Sequence, residues 1–306
     1  MIKVFRGTDK IERLNSPVLA LGNFDGIHLG HQTILKTAME RARDIGGLPV
    51  AFTFDPHPVK VLAPEKYLPL ITPIEKKIKL MEELGLYAVI CAEFNLDFAN
   101  LHPRSFVKDI LVDKIGIKEV VVGFNYSFGK GREGGIAFLK NMGEEYGFGL
   151  HVVEPVEVGG AVVSSSKVRE AIWAGSVDLA STLLGRPYGM EGIVVPGMKR
   201  GKKLGFPTAN IETKGELFPK SGVYASIVTL NGKRYKAVAN VGKHPTFPED
   251  PFSVEAHIFD FDSDIYGEQV EILFIDRIRD EMAFQTPDAL SEQIRRDAVK
   301  AKEILG

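Results

Sequence analysis

Residues 17–31 read Pro17-Val18-Leu19-Ala20-Leu21-Gly22-Asn23-Phe24-Asp25-Gly26-Ile27-His28-Leu29-Gly30-His31. The apolar run Pro17–Leu21 suits a strand buried on both faces, and Gly22 ends it. From His31 to Ile45 the residues Ile34, Leu35, Ala38 and Ala42 recur at helical spacing. A strand, a glycine-punctuated loop and an amphipathic helix therefore follow one another. In an α/β sheet such a junction, beyond the carboxyl end of a strand, is where ligands sit. Gly22 and Gly26 let the backbone turn and approach a phosphate, Gly30 allows close packing at the helix start, and the helix N-terminus offers unpaired N–H groups. His28 and His31 lie three apart, on one face of a first turn, and suit charge developing on a phosphate. The alternative is a pair of capping or metal-binding histidines on an ordinary loop.

The pattern continues outward. Leu48–Phe54, Tyr87–Ala92, Glu119–Val122 and Leu150–Val153 read as further strands. His31–Ile45, Thr72–Leu84, Arg104–Ile115 and Glu133–Tyr146 read as helices, with Thr72 as an expected N-cap before Pro73. Alternation of this kind predicts a parallel sheet with helices on both faces. After about Arg186 the texture changes to closely spaced strands at Glu191–Val195, Gly222–Leu230, Arg234–Val241, Val254–Phe261 and Val270–Ile275. Asn231-Gly232, His244-Pro245 and Tyr266-Gly267 punctuate them. These predict a small antiparallel barrel, followed by a helix over Pro287–Leu305 capped by Thr286. The expected division is 1–185 and 186–306.

Composition agrees with two globular domains. The chain has 306 residues, 44% hydrophobic and 25% charged, with a net charge of -2. No excess of positive charge exists to hold a nucleic-acid backbone. The single cysteine, Cys91, forbids an internal disulfide, and no apolar run reaches the ~18–20 residues needed to span a membrane. The charged start lacks the apolar core of a signal peptide. Together these predict a reducing, cytoplasmic compartment. Glycine is the oddity, at 31 residues, above the usual ~7%.

Four more stretches carry polar chemistry. Ser164–Glu170 (SSSKVRE) follows the fifth strand and places Arg169 one turn into a helix, where it suits a phosphate; a plain N-cap with a surface arginine is the alternative. Phe54-Asp55-Pro56-His57-Pro58 and Gly123–Gly129 (GFNYSFG) end the second and fourth strands. A flat heteroaromatic would stack on their rings and meet Asn125, unless the rings belong to the core. From Gly189 to Lys220 there are six basic residues (Lys199, Arg200, Lys202, Lys203, Lys214, Lys220) against three acidic ones (Glu191, Glu212, Glu216). With Gly197, Gly201 and Gly205 these suit a phosphate cradle, or else a solvated charge run. Thr208 and Asn210 offer the oxygen ligands Mg²⁺ accepts. Asp260, Asp262 and Asp264 lack the spacing of a Ca²⁺ loop and read as turn residues.

The Gly22–His31 run resembles the nucleotidylyltransferase superfamily, which transfers a nucleoside monophosphate from ATP. The resemblance implies ATP contacts from Gly22, Asn23, Phe24, Gly26, His28, His31, Ser165, Ser166 and Arg169, with His28, His31 and Arg169 catalytic. Ser164–Arg169 is similar to that superfamily's second motif, Ile-Ser-Ser-Thr-x-x-Arg, with Val163 for Ile and Ser166 for Thr. The Phe54 and Gly123 loops resemble the flavin-adenylating branch, which implies flavin contacts from Phe54, Pro56, His57, Asn125 and Phe128. Leu204–Asn210 (LGFPTAN) is similar to the riboflavin kinases, as are Gly222-Val-Tyr224, Asn240-Val-Gly242 with Pro245-Thr246, and Val254-Glu255-Ala256-His257. That implies an ATP site at Gly197, Lys202, Gly205, Thr208 and Asn210. It makes Thr208 and Asn210 ligands of Mg²⁺, Glu255 the base for the ribityl hydroxyl, and Glu255 and Arg277 flavin contacts. Lys202 stands where that family usually has arginine. A salt-bridged surface role is the alternative for Glu255.

Taken over nearly its whole length the sequence resembles the bifunctional bacterial riboflavin kinase/FMN adenylyltransferases, the prokaryotic FAD synthetases. The resemblance implies a Rossmann-like parallel-sheet domain making FAD from FMN and ATP, and a riboflavin kinase-like β-barrel making FMN from riboflavin and ATP. The expected partners are small molecules, with no nucleic acid and no membrane, in a monomer or transient self-association. The rivals are an adenylyltransferase for another substrate, a single-strand-binding barrel gripping through Lys199–Lys203, and a flavin reservoir with an inactive kinase half.

Overall fold

A computed structural model of the chain describes residues 1–9, 11–66, 68–198, 201, 205–213, 217–243 and 252–306. The chain divides into two compact units, Met1–Ser164 and Ser165–Gly306. The break falls ahead of the expected 185/186 boundary. Two helices, Ser165–Ala174 and Val177–Leu184, thus fall in the second unit. The Lys220 N–H donates to the Ile172 carbonyl at 3.2 Å, which ties the first of them to the barrel.

The first unit contains β1 (Lys3–Arg6), β2 (Pro17–Leu21), α1 (Leu29–Asp44), β3 (Leu48–Asp55), α2 (Pro58–Leu62), α3 (Ile74–Leu84) and β4 (Ala88–Glu93). After these come α4 (Leu96–Ala99), α5 (Pro103–Ser105) running into a π-helix over Phe106–Ile115, β5 (Glu119–Gly123), α6 (Ile136–Tyr146) and β6 (Gly149–Val153). Six strands pair in the order β1-β4-β3-β2-β5-β6, all parallel. The five expected strands are present, and edge strand β1 is a sixth that the charged start did not announce. Alternate residues of β2 serve opposite faces. Leu19 and Leu21 join Phe52, Ile90, Phe106 and Leu111 on one side, while Val18 and Ala20 join Leu35, Ala38 and Met81 on the other. The chain winds from β2 toward β3 on one side and from β5 toward β6 on the other, so the crevice lies between the carboxyl ends of β2 and β5. The expected cap of α3 is corrected. Pro73 occupies the N-cap without a side-chain bond, and the Thr72 N–H donates instead to Asp25. A small hairpin, β7 (Glu157–Val158) and β8 (Ala161–Val162), turns at Gly159-Gly160 with φ of 59° and 75°. That is the φ > 0 pair a type I′ turn demands.

The second unit opens with α7 (Ser165–Ala174) and α8 (Val177–Leu184). Strands β9 (Tyr188–Val195), β10 (Ala209–Thr213), β11 (Gly222–Leu230), β12 (Lys233–Gly242), β13 (Ser253–Ile258) and β14 (Gln269–Arg279) follow, and then α9 (Pro287–Leu305). The strands close into a barrel in the order β10-β13-β12-β11-β14-β9, with antiparallel pairing throughout. Closure removes exposed edges. Asn231 (φ 49°) and Gly232 (φ 76°) make the expected hairpin turn. The Thr286 hydroxyl accepts from the Ala289 N–H at 3.2 Å, capping α9 as expected. Ala298, Ala301, Ile304 and Leu305 of α9 pack against Val223, Ala225, Val238 and Phe259. The Arg279 guanidinium grips the Asp297 carboxylate, with Nε 3.0 Å from both oxygens and Nη2 at 2.6 Å. Strand β10, which carries Asn210, was not expected; it is short and flanked by Pro207 and charged residues.

Candidate active sites

The first unit gathers its polar chemistry in the Gly22–His31 loop. His28 is the N-cap of α1, and its Nδ1 accepts from the His31 N–H at 3.3 Å. Its ring proton, when the ring is neutral, therefore sits on Nε2. The imidazoles of His28 and His31 stack with centroids 3.7 Å apart and an interplanar angle of 19°, and the Phe24 ring meets His31 edge-on at 5.3 Å. Capping and ring pairing thus coexist, whereas the sequence had posed them as alternatives. The His31 Nδ1 is sealed from solvent with no hydrogen-bond partner. Burial, helped by the positive charges of His28 and Lys77, holds the His31 imidazole well below its usual protonation range. No acidic residue occupies the first turn of α1, so the positive end of the helix is uncompensated by its own side chains.

The glycines have specific neighbours. A Cβ on Gly22 would meet the Phe24 ring at 3.0 Å, and one on Gly30 would meet the His28 ring at 3.2 Å. Those two therefore make room for side chains of the loop itself. Gly26 supplies a φ of 89°. Ser165, Ser166 and Arg169 begin α7, where Ser166 is exposed and Arg169 is buried.

The flavin-type loops divide. Phe54 packs edge-on against Phe52, Phe94 and Phe98 while remaining half-buried. His57 is buried and caps α2 through Nδ1, which accepts from the Val59 N–H at 3.3 Å; Pro56 beside it is exposed. Asn125 is exposed. Phe128 is buried against Phe106, Phe138 and Tyr126, as the core alternative has it. The exposed ring of this loop is Phe124, at 42%, which nothing in the loop sequence distinguishes from Phe128. Cys91 is buried in β4, and burial pushes its thiol up to about 11, which removes it as a nucleophile at neutral pH.

In the barrel, strand register does the gathering. Asn210 of β10 and Asn240 of β12 both sit opposite Glu255 of β13. Directly opposed residues share a sheet face, so a carboxylate lies between two amides. The Thr208 hydroxyl donates to Glu255 Oε2 at 3.4 Å. A Cβ on Gly197 would fall 2.0 Å from Asn210 Nδ2, and one on Gly201 would fall 2.4 Å from the Phe206 carbonyl and 3.3 Å from Thr208 Oγ1. Both glycines therefore exist to admit the Thr208–Asn210 segment. Gly205 has a φ of 83° and open space around it. His257 seats the same segment, its Nδ1–H donating to the Pro207 carbonyl at 2.8 Å and its ring meeting Phe206 edge-on. That role was visible in sequence only as a histidine two residues beyond Glu255. Arg277 has protein partners, since its Nη2 donates to the Ser221 carbonyl at 2.7 Å and to Asp280 at 2.6 Å. Lys202 lies outside the described residues. Three oxygen-bearing side chains, those of Thr208, Asn210 and Glu255, converge where glycines have cleared the space. That donor set fits a hard divalent cation such as Mg²⁺.

A parallel-sheet unit with a phosphate-type loop at its topological switch point, joined in one chain to a closed barrel with a carboxylate–threonine–asparagine site, defines a two-domain nucleotide-using transferase. The family model for FAD synthetase matches residues 10–167, and that for riboflavin kinase matches residues 184–305. The bifunctional riboflavin kinase/FMN adenylyltransferase of Escherichia coli strain K12 is 35% identical over 309 residues, covering 100% of this chain and 98% of that protein. The one from Bacillus subtilis strain 168 is 39% identical over 292 residues, covering 93% and 91%. The chain belongs to the bifunctional riboflavin kinase/FMN adenylyltransferase family. A crystal structure described as a macrolide-efflux protein from Streptococcus pneumoniae superposes with a TM-score of 0.89 at 33% identity, covering 98% of this chain and 99% of that one. Among the described residues here, no helix is long and apolar enough to cross a membrane.

Proposed function

We propose that the two reactions of flavin cofactor synthesis are divided between the two sites. ATP-dependent phosphorylation of riboflavin to FMN belongs to the barrel, and adenylation of FMN to FAD belongs to the parallel sheet. Residues 1–185 are assigned to the adenylyltransferase and 186–306 to the kinase; the FAD synthetase match ends at 167 and the riboflavin kinase match begins at 184, two residues ahead of that boundary. The observation that carries the reading is that each unit holds its own convergent site, the stacked His28–His31 pair in one and the Thr208–Glu255–Asn210 cluster in the other.

In the barrel, Glu255 accepts the proton of the ribityl 5′-hydroxyl as that oxygen bonds to the γ-phosphorus of ATP and ADP leaves. Thr208 and Asn210 would hold Mg²⁺, which neutralises phosphate charge when bound. Gly197, Gly205 and Lys202 are assigned to the nucleotide, and Arg277 to the flavin side.

Within residues 1–185, a phosphate oxygen of FMN attacks the α-phosphorus of ATP and pyrophosphate leaves. No covalent enzyme intermediate is needed. His28, His31, Arg169 and the N-terminus of α1 stabilise the charge that builds on the phosphate oxygens. Gly22, Asn23, Phe24, Gly26, Ser165 and Ser166 line the nucleotide. Phe54, Pro56, His57, Asn125 and Phe128 are assigned to the flavin side.

The partners are then small molecules, and the net charge of -2 supports no nucleic-acid role. A reducing, cytoplasmic compartment suits a buried lone thiol, and a monomer or transient self-association suffices for the chemistry. Incubating the protein with riboflavin, ATP and Mg²⁺ and separating flavins by chromatography tests the assignment. FMN should appear first and FAD second, and omitting Mg²⁺ should abolish both. FAD formation from supplied FMN without any FMN formation from riboflavin would sink the kinase half.

A further inference from the structure

Lys77 belongs to α3, outside every motif considered so far, yet it is only 4% exposed. Its Nζ donates to the Asn23 carbonyl at 2.8 Å and to Thr53 Oγ1 at 3.5 Å. The Thr53 hydroxyl donates to the same Asn23 carbonyl at 3.0 Å. Two residues further along, the buried Asp25 carboxylate accepts from the Ile71 N–H at 3.3 Å and the Thr72 N–H at 3.1 Å, just ahead of α3. The Gly22–His31 loop is thus held at Asn23 and at Asp25 by groups from β3, α3 and the segment before it. It needs holding, because Phe24 (φ 50°) and Ile27 (φ 40°) are non-glycine residues in the left-handed region, with Gly26 (φ 89°) between them. Such conformations are costly and persist where the surroundings over-determine them. Immediately beyond lies His28, which caps α1 and stacks on His31.

We propose that Lys77 is a positioning residue for adenylyl transfer, holding the Asn23 carbonyl against Thr53 and so fixing the strained loop that aims His28 and His31 at the nucleotide. This rests on assigning the adenylation to that loop. Lys77 acts through the loop and through its charge. The groups around it are Asp25, Asp55, Cys91 and His31; those around His31 are His28 and Lys77. Burial lowers the Lys77 amine, and the Asp25 carboxylate opposes that loss of charge. In turn the Lys77 charge adds to burial and to His28 in keeping His31 neutral. Removing the ammonium therefore moves the loop and also raises the proton affinity of His31, a second effect that a packing defect alone does not reproduce.

The test uses the full chain carrying Lys77→Met. FMN adenylation is followed from about pH 5 to 9; riboflavin phosphorylation on the same sample reports the intact barrel, and hydrogen exchange in β2 and β3 reports the folding of the first unit. The turnover number for FAD formation should fall about 10- to 100-fold, with a smaller change in the KM for ATP. The acid limb of its pH profile should move up by about half a unit or more, while phosphorylation stays within about twofold of wild type. Thr53→Val keeps the ammonium and removes one of the two donors to Asn23. It should lower turnover less, about threefold, and leave the acid limb in place. Unchanged turnover in Lys77→Met, or lost turnover with an unmoved acid limb, overturns the proposal. Should the first unit of Lys77→Met fail to fold, judged by hydrogen exchange in β2 and β3, Thr53→Val decides alone, and wild-type turnover there overturns it. His31→Asn separates the underlying assignment: if that variant still makes FAD, the loop is not the adenylation site, whatever Lys77 does.

Discussion

The two sites reach similar ends by different construction. In the parallel-sheet unit the groups proposed for adenylation sit on a loop, and that loop is strained, buried over Phe24–His28 and pinned from outside by Thr53, Lys77 and the Ile71–Thr72 backbone. In the barrel, Asn210, Glu255 and Asn240 fall on adjacent strands at opposed register positions, so pairing itself lines them up. A loop site can be mis-aimed by a change well away from the motif. A strand site resists that, because moving Glu255 relative to Asn210 means breaking a ladder. The barrel should therefore tolerate distant substitutions and fail sharply at its few opposed residues, while the loop site should be sensitive to its supports.

The largest effect expected is at the stacked imidazoles. His28→Ala with His31→Ala removes the α1 cap and both rings, and FAD formation should fall by about 10³-fold or more. FMN formation from riboflavin should be unchanged, as read by chromatography of the two products. Glu255→Gln is the counterpart. It keeps the shape at a register position while removing the proton acceptor, so FMN formation should drop about 10²- to 10⁴-fold, while FAD formation from supplied FMN continues. Loss of both activities in either folded variant would break the comparison, since the sites would then not be separable.

How far these residues were legible in sequence follows the same division. Gly22–His31 announced itself because strand, glycine loop and helix are contiguous, and Thr208, Asn210 and Glu255 because their strings are compact. Lys77 and Thr53 did not, since a lysine in an amphipathic helix and a threonine in a strand are ordinary by pattern; only tertiary placement buries them against Asn23. Strand β1 stayed hidden because an edge strand with mostly exposed residues carries no apolar run. The family resemblance makes Phe128 and His57 flavin contacts, yet packing against Phe106 and capping of α2 engage them structurally, and no local pattern tells a core ring from a stacking one. The glycine excess was readable as close approach, but what approaches Gly197 is Asn210 and what approaches Gly30 is His28.

A smaller effect sharpens the claim that the barrel is built on its ladder. Asp297 is buried and accepts from Arg279 of β14 and from Gln293 at 2.8 Å. Asp297→Ala would strip the largely buried Arg279 of its carboxylate, leaving only the Nη1 bond to the Asp280 carbonyl, at about 3 kcal/mol. The measurement is denaturant unfolding followed by Trp173, the one tryptophan, which lies in α7 of the second unit. The midpoint should fall, while FMN formation below the transition keeps its wild-type turnover, because α9 buttresses strands without contributing a group to the Glu255 site. A fall in turnover at full folding would show that the ladder does not isolate the site from its buttress.

The smallest effect separates the units by proton linkage. The folded His31 imidazole is held well below its ordinary range by burial and by its neighbours His28 and Lys77, whereas in the unfolded chain it titrates near its ordinary value of 6.5. As the pH falls below that value the unfolded state takes up a proton that the folded state refuses. Stability contributed at neutral pH is then lost on acidification, at up to about 1.4 kcal/mol per pH unit for one group. The sign is opposite to that of a histidine gaining a carboxylate partner, which would stabilise the fold as pH fell. Hydrogen exchange of the β2 and β3 amides, compared between wild type and His31→Gln from about pH 6.5 to 5, isolates the contribution. Wild-type protection, corrected for the intrinsic exchange rate, should fall more steeply than that of the variant, and β11 and β12 should show no such difference. Equal slopes in β2 and β3 would mean that His31 is protonated without penalty in the fold, and the buried His31 Nδ1 would then not be what distinguishes the loop site from the strand site.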